Sequence, residues 1–280
     1  MQNTITQQGC LYVCGTPIGN LEDISLRALK ILRQVDLVAA EDTRHTRKLL
    51  NHYDIKVELI SYHEHNRYER GRELVGRITD GLQVALVSDA GMPGISDPGH
   101  DLIAAVLKAG LAVIPIPGPT AAVTALVVSG LKTDRFAFTG FLPRKRNERL
   151  AEIERLKSYP YTMIFYEAPH RLKATLKDMH EVLGNRNASV ARELTKLYEE
   201  NLRMPLQSLR EHFENNEPRG EITLIVEGAG EGSLSYAPAD IDLDELLQQL
   251  LAGGLSKSEA AREAASRTGL PRRELYKRML

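Results

Sequence analysis

The residue pattern predicts an α/β protein with a mostly parallel sheet in a first lobe, a mixed α+β second lobe and a small helical tail. Three observations carry this. Short apolar runs alternate with helical-period stretches through the first half, the alternation restarts near Gly130–Arg135, and Gly228–Ala239 is a linker-like run of Gly, Ser, Ala and Pro. The expected division is therefore a lobe over 1–130, a lobe over 131–229, a linker over 230–240 and a basic helical tail over 241–280.

In the first lobe, Leu11–Cys14 reads as a strand ending at Gly15, and Asp23 offers an N-cap before Ile24, Ala28, Ile31, Leu32 and Val35 at helical spacing. Leu37–Ala40, Val57–Ser61, Gln83–Ser88 and Ala112–Ile116 read as further strands. Thr43–Asn51, Glu69–Thr79, Leu102–Ala109 and Thr120–Val128 read as the helices between and after them, an order that favours a parallel sheet covered on both faces. In the second lobe, strands are expected at Phe136–Phe141, Thr162–Tyr166, Ala188–Arg192 and Glu221–Glu227, and helices at Lys145–Lys157, Arg171–Leu183 and Leu206–Asn215. In the tail, Ser256-Lys257-Ser258-Glu259 is a capping-box pattern, Gly269 ends one helix and Pro271 opens the next through Met279.

The 280 residues carry 36 Lys+Arg against 37 Asp+Glu, a net charge of −1 that excludes bulk electrostatic binding of nucleic acid and requires any anionic partner to meet a local patch. No apolar run approaches the ~18–20 residues of a membrane span, and the first nine residues lack the pattern of a signal peptide, so a cytoplasmic protein without membrane contact is expected. Cys10 and Cys14 share one strand, about 13 Å apart, and are expected to be reduced core residues rather than a disulfide. No four-ligand metal spacing occurs, so no metal is expected.

Ligands of open α/β sheets bind beyond the carboxyl ends of the strands. The loop Gly15-Thr16-Pro17-Ile18-Gly19-Asn20 lacks dinucleotide spacing, and Pro17 removes an N–H that a phosphate cradle would use. Asp89–Gly99 holds three Gly and two Pro, with Asp89, Ser96 and Asp97 as polar groups and Met92 and Ile95 as apolar wall. That mix suits a nucleoside or a cationic sulfonium better than a phosphate. Pro117-Gly118-Pro119-Thr120-Ala121-Ala122 opens a helix with few free N–H groups, which favours close packing against a flat ligand.

Five of these stretches, GTPIGN, SDAGMPGISDPG, PGPTAA, YEAPHR at Tyr166–Arg171 and RGEITLIVEG at Arg219–Gly228, together resemble the tetrapyrrole-methylase superfamily. Within it, AEDTRHTRKLL at Ala40–Leu50, SYHEHN at Ser61–Asn66 and the tail are similar to the RsmI type, the small-subunit (16S) ribosomal RNA 2′-O-ribose cytidine methyltransferases. The resemblance runs from about Leu11 to Leu280. It implies a two-lobed fold and S-adenosyl-L-methionine as cofactor. It also implies methylation of a cytidine ribose in the decoding region, within the assembled 30S subunit, by a homodimer. It assigns the cofactor to Pro17, to Asp89, Ala90, Gly91, Met92 and Ile95, and to Pro117, Gly118, Pro119, Thr120, Ala121 and Ala122. From the second lobe it adds Tyr166, Glu167 and Ala168, with Glu221, Ile222 and Thr223.

Methyl transfer to a ribose hydroxyl needs alignment, worth ~7–11 kcal/mol, and a general base, worth ~10²–10⁴-fold. The candidates are Glu41 and Asp42, directly after a buried strand, and His63 and Glu64 after another. For Asp42 the first reading is a cap of the following helix through the N–H groups of Arg44 and His45, ahead of catalysis. Arg44, Arg47 and Lys48, and Arg144, Lys145, Arg146 and Arg149 in a stretch of +3 at Leu142–Arg149, are read as phosphate contacts that position RNA. Ser256–Leu280 carries +4 and leaves the body at −5; Arg272, Arg273 and Lys277 in it are read as RNA-binding, with Tyr276 available to stack on a base. Two rivals remain: a tetrapyrrole C-methyltransferase of the same fold, which has no evident need of a basic tail, and a non-catalytic ribosome-assembly factor that binds RNA.

Overall fold

The computed structural model describes residues 9–230, 243–268 and 270–279. Five strands, β1 (Cys10–Cys14), β2 (Leu37–Ala40), β3 (Glu58–Ser61), β4 (Gln83–Val87) and β5 (Ala112–Ile116), form a wholly parallel sheet in the order β3-β2-β4-β1-β5. Alternate residues feed opposite faces, as the pleat requires. Cys14, Val38, Ala40, Ala85 and Val87 pack with Ala28, Leu29 and Leu32 of helix α1 (Leu26–Gln34) and Leu49 and Leu50 of α2 (Thr43–His52). Leu11, Val13, Ala39, Val84 and Leu86 pack with Leu74 and Ile78 of α3 (Arg67–Thr79) and Leu102 and Val106 of α4 (Gly99–Lys108).

The second sheet holds β6 (Phe136–Phe141), β7 (Thr162–Glu167), β8 (Asn187–Arg192), β9 (Glu200–Pro205) and β10 (Ile222–Val226) in the order β6-β7-β10-β8-β9. Only β6 and β7 pair in parallel, so the sheet is mixed. Helices α6 (Arg146–Arg155), α7 (Pro169–Leu183) and α8 (Leu206–Asn215) cover one face through Ile153, Leu172, Leu176 and Leu209. The other face is covered by α5 (Ala121–Val128), which follows the first sheet: its Ala122, Ala125 and Leu126 join Ile18 against Ile164, Ala191 and Ile225. One helix and one loop residue of the first lobe thus complete the core of the second.

Several local expectations need correction. Ser25, not Asp23, caps α1, its side chain accepting from Ala28 N at 3.1 Å, while Leu21–Asp23 forms a 3₁₀ turn. β9 answers to no expected element and is an edge strand, with Leu202 and Met204 packed on the core and polar residues between them. A further helix, α9 (Leu243–Ala252), precedes α10 (Lys257–Thr268) and α11 (Arg272–Arg278), and the three bury Leu247, Ala261, Ala264 and Leu275 together. The capping box is present: Ser256 N donates to Glu259 Oε2 at 3.0 Å and Glu259 N to Ser256 Oγ at 3.4 Å. The linker stretch from residue 231 onward, and Gly269, lie outside the described residues. Both cysteines are buried and unpaired, and burial pushes the Cys14 thiol up to about 12. Among the described residues no helix is long and apolar enough to cross a membrane.

The tightest point of the first lobe is where the loop after β1 crosses the loop after β5. A Cβ built on Gly15 would lie 2.7 Å from both Gly118 Cα and Met92 Sδ. Gly15→Ala is expected to lower stability by ~1–3 kcal/mol through overpacking. Gly76→Ala in exposed α3, where a Cβ meets nothing within 4 Å, should raise it by ~1 kcal/mol. Urea unfolding of the two variants measures both signs.

Candidate functional site

Three loops at the carboxyl edge of the first sheet are fastened to one another through main chain. Gly15 N donates to Ile116 O at 3.1 Å, and Thr16 and Gly91 exchange N–H···O bonds of 2.9 and 3.1 Å. Gly91 and Gly94 sit at φ +84° and +90°, a region open to glycine, and Asp97 Oδ1 ties the loop by accepting from Gly94 N at 2.8 Å and Gly99 N at 2.7 Å. The second lobe answers with the segment after β8. Glu193 and Thr195 there hold left-handed φ of 51° and 64°, rare for residues with a Cβ. Thr195 Oγ1 accepts from Asn20 N at 3.0 Å, and Glu193 Oε1 accepts from Glu221 N at 3.0 Å and Lys196 Nζ at 2.9 Å. Lys196 also pairs with Glu221 at 3.1 Å; burial opposes its charge, yet the two carboxylates hold its pKa above the usual lysine value.

Between the lobes these segments enclose a cleft of two chambers. The first, about 360 Å³, is walled by Met92, Ile95, Thr120, Ala121, Phe141 and Tyr166, with Ala168, Ile222 and Thr223. The second, about 420 Å³, is lined by Thr16, Pro17, His45, Lys48, Asp89 and Lys196, among others. Ile18, Ala90 and Glu221 line both, so the chambers adjoin. Tyr166 stands edge-on to Phe138 at 4.8 Å between ring centroids and 5.7 Å from Phe141, giving the first chamber an aromatic wall. Burial raises the Tyr166 hydroxyl pKa, against the hydrogen bonding to Ala122 and Thr120.

The charges differ sharply between the chambers. No Lys, Arg or His is among the described residues lining the first chamber. Its Glu167 carboxylate is spent inside the fold, accepting from Thr175 Oγ1 at 2.6 Å and Ala168 N at 2.8 Å and pairing with Arg171 at 3.2 Å. A phosphate would find no free counter-charge there, whereas an uncharged adenosine and a sulfonium would meet apolar walls and backbone groups, the Glu221 carboxylate at the seam being paired with Lys196. The residues therefore fit S-adenosylmethionine.

The structure brings together Pro17, Asp89, Ala90, Gly91, Met92, Ile95, Thr120, Ala121, Tyr166, Glu167, Ala168, Glu221, Ile222 and Thr223 around this cleft. Pro117, Gly118, Pro119 and Ala122 do not line it. Gly118 is packed against Gly15, and Ala122 belongs to the core under the second sheet. None of Glu41, Asp42, His63 and Glu64 lines a chamber. Asp42 caps α2, accepting from Arg44 N at 2.8 Å and pairing with Arg44 at 3.2 Å, which holds its carboxyl below the usual range. Glu64 pairs with Arg67 at 2.9 Å on the surface. His63 lies 6.0 Å from His65 between ring centroids, and its backbone N donates to Asn66 Oδ1 at 2.8 Å. Glu41 lies nearest the cleft, Asp89 N donating weakly to its Oε2 at 3.4 Å while Asp89 Oδ1 accepts from Asp42 N at 3.0 Å. Sequence reading missed Ile18, Phe141 and Lys196 as lining residues, whereas Lys48, read as a phosphate contact, lines the second chamber.

Of the basic candidates, Arg44, Arg47, Arg144 and Lys145 are exposed, Arg44 with Asp42 and Lys145 with Glu148 as partners. The reading of Arg149 as a phosphate contact is wrong. It is 5% exposed and its guanidinium meets Asp178 at 2.6 Å, so it completes a buried ion pair. Arg146 is likewise held by Asp178 and Glu181, each at 3.0 Å. In the tail, Arg272, Arg273, Tyr276 and Lys277 with Ser258 line an open cup. Among the described residues no three His, Cys, Asp or Glu side chains cluster so as to hold a metal ion.

Two lobes with a loop-built cleft between them define the class, and the family model described as Tetrapyrrole (Corrin/Porphyrin) Methylases matches residues 10–210. The RsmI C-terminal HTH domain model matches residues 237–280. The chain belongs to the tetrapyrrole methylases and, within them, to the family of ribosomal RNA small subunit methyltransferase I. Relatives of that name are 48% identical in Halalkalibacterium halodurans, over 96% of this chain and 94% of theirs, and 50% identical in Synechocystis, over 96% of each. The relative of that name in Bacillus subtilis is 43% identical, over 98% of this chain and 95% of its own. Among solved structures, diphthine synthase superposes with a TM-score of 0.62 at 14% identity, covering 79% of this chain and 90% of that one. Uroporphyrin-III C-methyltransferase from Thermus thermophilus, complexed with S-adenyl homocysteine, superposes with a TM-score of 0.55 at 21% identity, covering 78% and 97%. At these identities the structural likenesses show the shared fold.

Burial, and then the nearby Asp89 carboxylate, raise the pKa of Glu41, with Asp97 and Asp42 adding to the effect and the Asp89 N–H opposing it. In the unfolded chain this carboxyl ionises at its ordinary, lower value. Ionisation therefore costs native stability as pH rises from that value through the raised one. Glu41→Gln is expected to be more stable than the parent at about pH 8 and no more stable at about pH 3, where both side chains are neutral. Urea unfolding at the two pH values checks the sign.

Proposed function

We propose that this chain transfers the methyl group of S-adenosylmethionine to the 2′-hydroxyl of a cytidine ribose in the decoding region of small-subunit (16S) ribosomal RNA. The observation that carries the cofactor half is the cation-free first chamber, matched to a donor without phosphate and with a positive sulfonium. The second chamber carries Lys48, His45 and Asp89 from the first lobe and Lys196 from the second, polar groups of the kind a ribose and its flanking phosphate would meet. The relatives' name and the basic tail support RNA over a tetrapyrrole as acceptor.

S-adenosylmethionine, when bound, supplies a methyl group already activated for displacement by its sulfonium. The chain's task is to hold the acceptor oxygen in line, an alignment worth ~7–11 kcal/mol. Met92, Ile95 and Tyr166 exclude water from the first chamber. Lys48 meets a phosphate beside the ribose, while Lys196 holds Glu193 and Glu221 at the seam. Glu41 lines neither chamber but bonds the main chain of Asp89, which lines the second, and from behind Asp89 it assists removal of the hydroxyl proton, a role its raised pKa suits. In this reading the enzyme is cytoplasmic and homodimeric, and the acceptor is presented by the assembled 30S subunit. Pro17 and the 117–122 segment support the cofactor, the latter from behind the wall. Arg44, Arg47, Arg144, Lys145, Arg272, Arg273 and Lys277 engage RNA phosphates.

Incubation with tritiated S-adenosylmethionine and purified 30S subunits is expected to label 16S RNA at one cytidine, with the adjoining phosphodiester made resistant to alkali. Label on a base, or on a tetrapyrrole and not on RNA, rejects the reading. Glu41→Gln should then turn over ~10²-fold more slowly at saturating cofactor.

Deletion of residues 256–280 should raise KM for the subunit about tenfold, since the segment carries +4, while leaving cofactor affinity unchanged. Calorimetric titration of cofactor alongside subunit-dependent kinetics separates the two; an unchanged KM removes the tail from RNA binding.

A further inference from the structure

A trough between α3 and α4, on the outer face of the first sheet, has no part in the chemistry above. Tyr68, Arg72 and Val75 stand at i, i+4 and i+7 on α3, and Asp101, Ala105 and Lys108 repeat that spacing on α4. The two stripes border an open space of about 600 Å³, floored by Gly71, Val75 and Ala105 with the buried Tyr62 ring behind. Gly71 lies in mid-helix, where glycine is disfavoured. A Cβ there would meet only Tyr62 Cε2, at 3.9 Å, so no tight packing requires the glycine, and its absent side chain keeps the floor low.

The rim of the trough is chemically distinctive. Tyr68 is 72% exposed, with the Arg67 guanidinium 4.9 Å from its ring centroid. Arg67 pairs with Asp101 at 3.1 Å and with Glu64, which neutralises the trough's one carboxylate. Arg72 and Lys108 are exposed and enter no ion pair among the described residues, so they leave a positive rim. One hydrogen bond joins the trough's floor to a loop of the cleft. Tyr62, directly after β3, donates its hydroxyl to Pro98 O at 3.3 Å, and Pro98 belongs to the loop whose Met92 and Ile95 wall the first chamber.

An exposed ring over a shallow apolar floor, flanked by unpaired cations, is what a single nucleic-acid strand needs: bases stack on the ring and phosphates meet the cations. We infer that the α3–α4 trough binds a single-stranded RNA segment flanking the methylated nucleotide, with Tyr68 stacked on a base and Arg72 and Lys108 on its phosphates. The inference rests on the RNA reading above. A peptide partner is disfavoured, because the apolar surface offered is one ring and a floor of small residues.

The test uses the full-length protein, with KM for 30S subunits and affinity for a labelled single-stranded oligonucleotide of the decoding region measured in parallel. Tyr68→Ala is expected to raise both KM and the oligonucleotide dissociation constant about tenfold without changing kcat or cofactor affinity. Tyr68→Phe should restore both, although it forgoes the 3.0 Å bond from Arg67 Nη2, because stacking needs only the ring. The pair Arg72→Gln and Lys108→Gln should flatten the salt dependence of log affinity by about 0.7 for each phosphate no longer neutralised. Oligonucleotide affinity and salt slope unchanged in all variants would overturn the inference. So would variants that bind oligonucleotide normally yet methylate subunits poorly, which would mark the trough as a protein-docking site. A parent protein that binds oligonucleotide through the trough but labels no RNA would reject the methylation reading and keep the trough.

Discussion

Everything in the cleft depends on the contact of two glycines, Gly15 and Gly118, packed back to back where two loops leave neighbouring strands. Each would place a Cβ 2.7 Å from the other's Cα. Their approach lets the Thr16–Gly91 exchange form beside it, and so brings the loops after β1, β4 and β5 into one main-chain assembly. Such an assembly can wall a cavity with backbone and small side chains because little has to be ordered on ligand arrival. α5 continues from the same loop and completes the core of the second sheet. The position of the second lobe's Tyr166 opposite Met92 is therefore fixed by the same crossing.

The second lobe returns the constraint through strained backbone. Glu193 and Thr195 occupy left-handed conformations that a loop would ordinarily give to glycine. They are kept there by the bonds that Glu193 makes to Glu221 and Lys196 and that Thr195 accepts from Asn20. Strain of this kind persists where surroundings over-determine it, and here it holds Lys196 and Glu221 at the seam of the two chambers.

The sequence revealed the architecture where the periodicity was undivided: the all-parallel first sheet, its four flanking helices and the capping box at Ser256 were all readable. β9 was missed because only Leu202 and Met204 of its six residues pack on the core and Pro205 reads as a breaker, as an edge strand with one dry face allows. α9 was missed although Leu243, Leu246, Leu247 and Leu250 stand at helical spacing, because the Gly- and Ser-rich stretch before it blurs where its first turn begins. In the site, residues on the three loops were legible because Gly and Pro mark such turns. Lys48 was legible as a phosphate contact, but charge on a loop does not reveal that Lys196, 148 positions further on, lines the same chamber. Asp42 was legible in both of its roles, and local geometry decided for the cap.

Arg149 shows why a charge count misjudges binding surfaces. Its stretch reads as +3 from sequence, yet Arg149 and Arg146 are both bound to Asp178 and so offer nothing to a phosphate. Arg67, Arg171, Arg192 and Lys196 are similarly engaged. The cations without such partners are the ones a phosphate meets most readily, and these are not spread evenly. Arg47 and Lys48 lie on α2, Arg72 and Lys108 flank the trough, Arg144 precedes α6, and Arg273 and Lys277 face outward from the tail. A chain of net charge −1 thus presents separate small positive stations apart from a first chamber whose lining holds no cation. Such a layout binds weakly to any stretch of polyanion and favours a strand that reaches several stations at once, because each adds its own phosphate term. Near-neutrality in this fold is a condition for discrimination among RNAs rather than an argument against RNA.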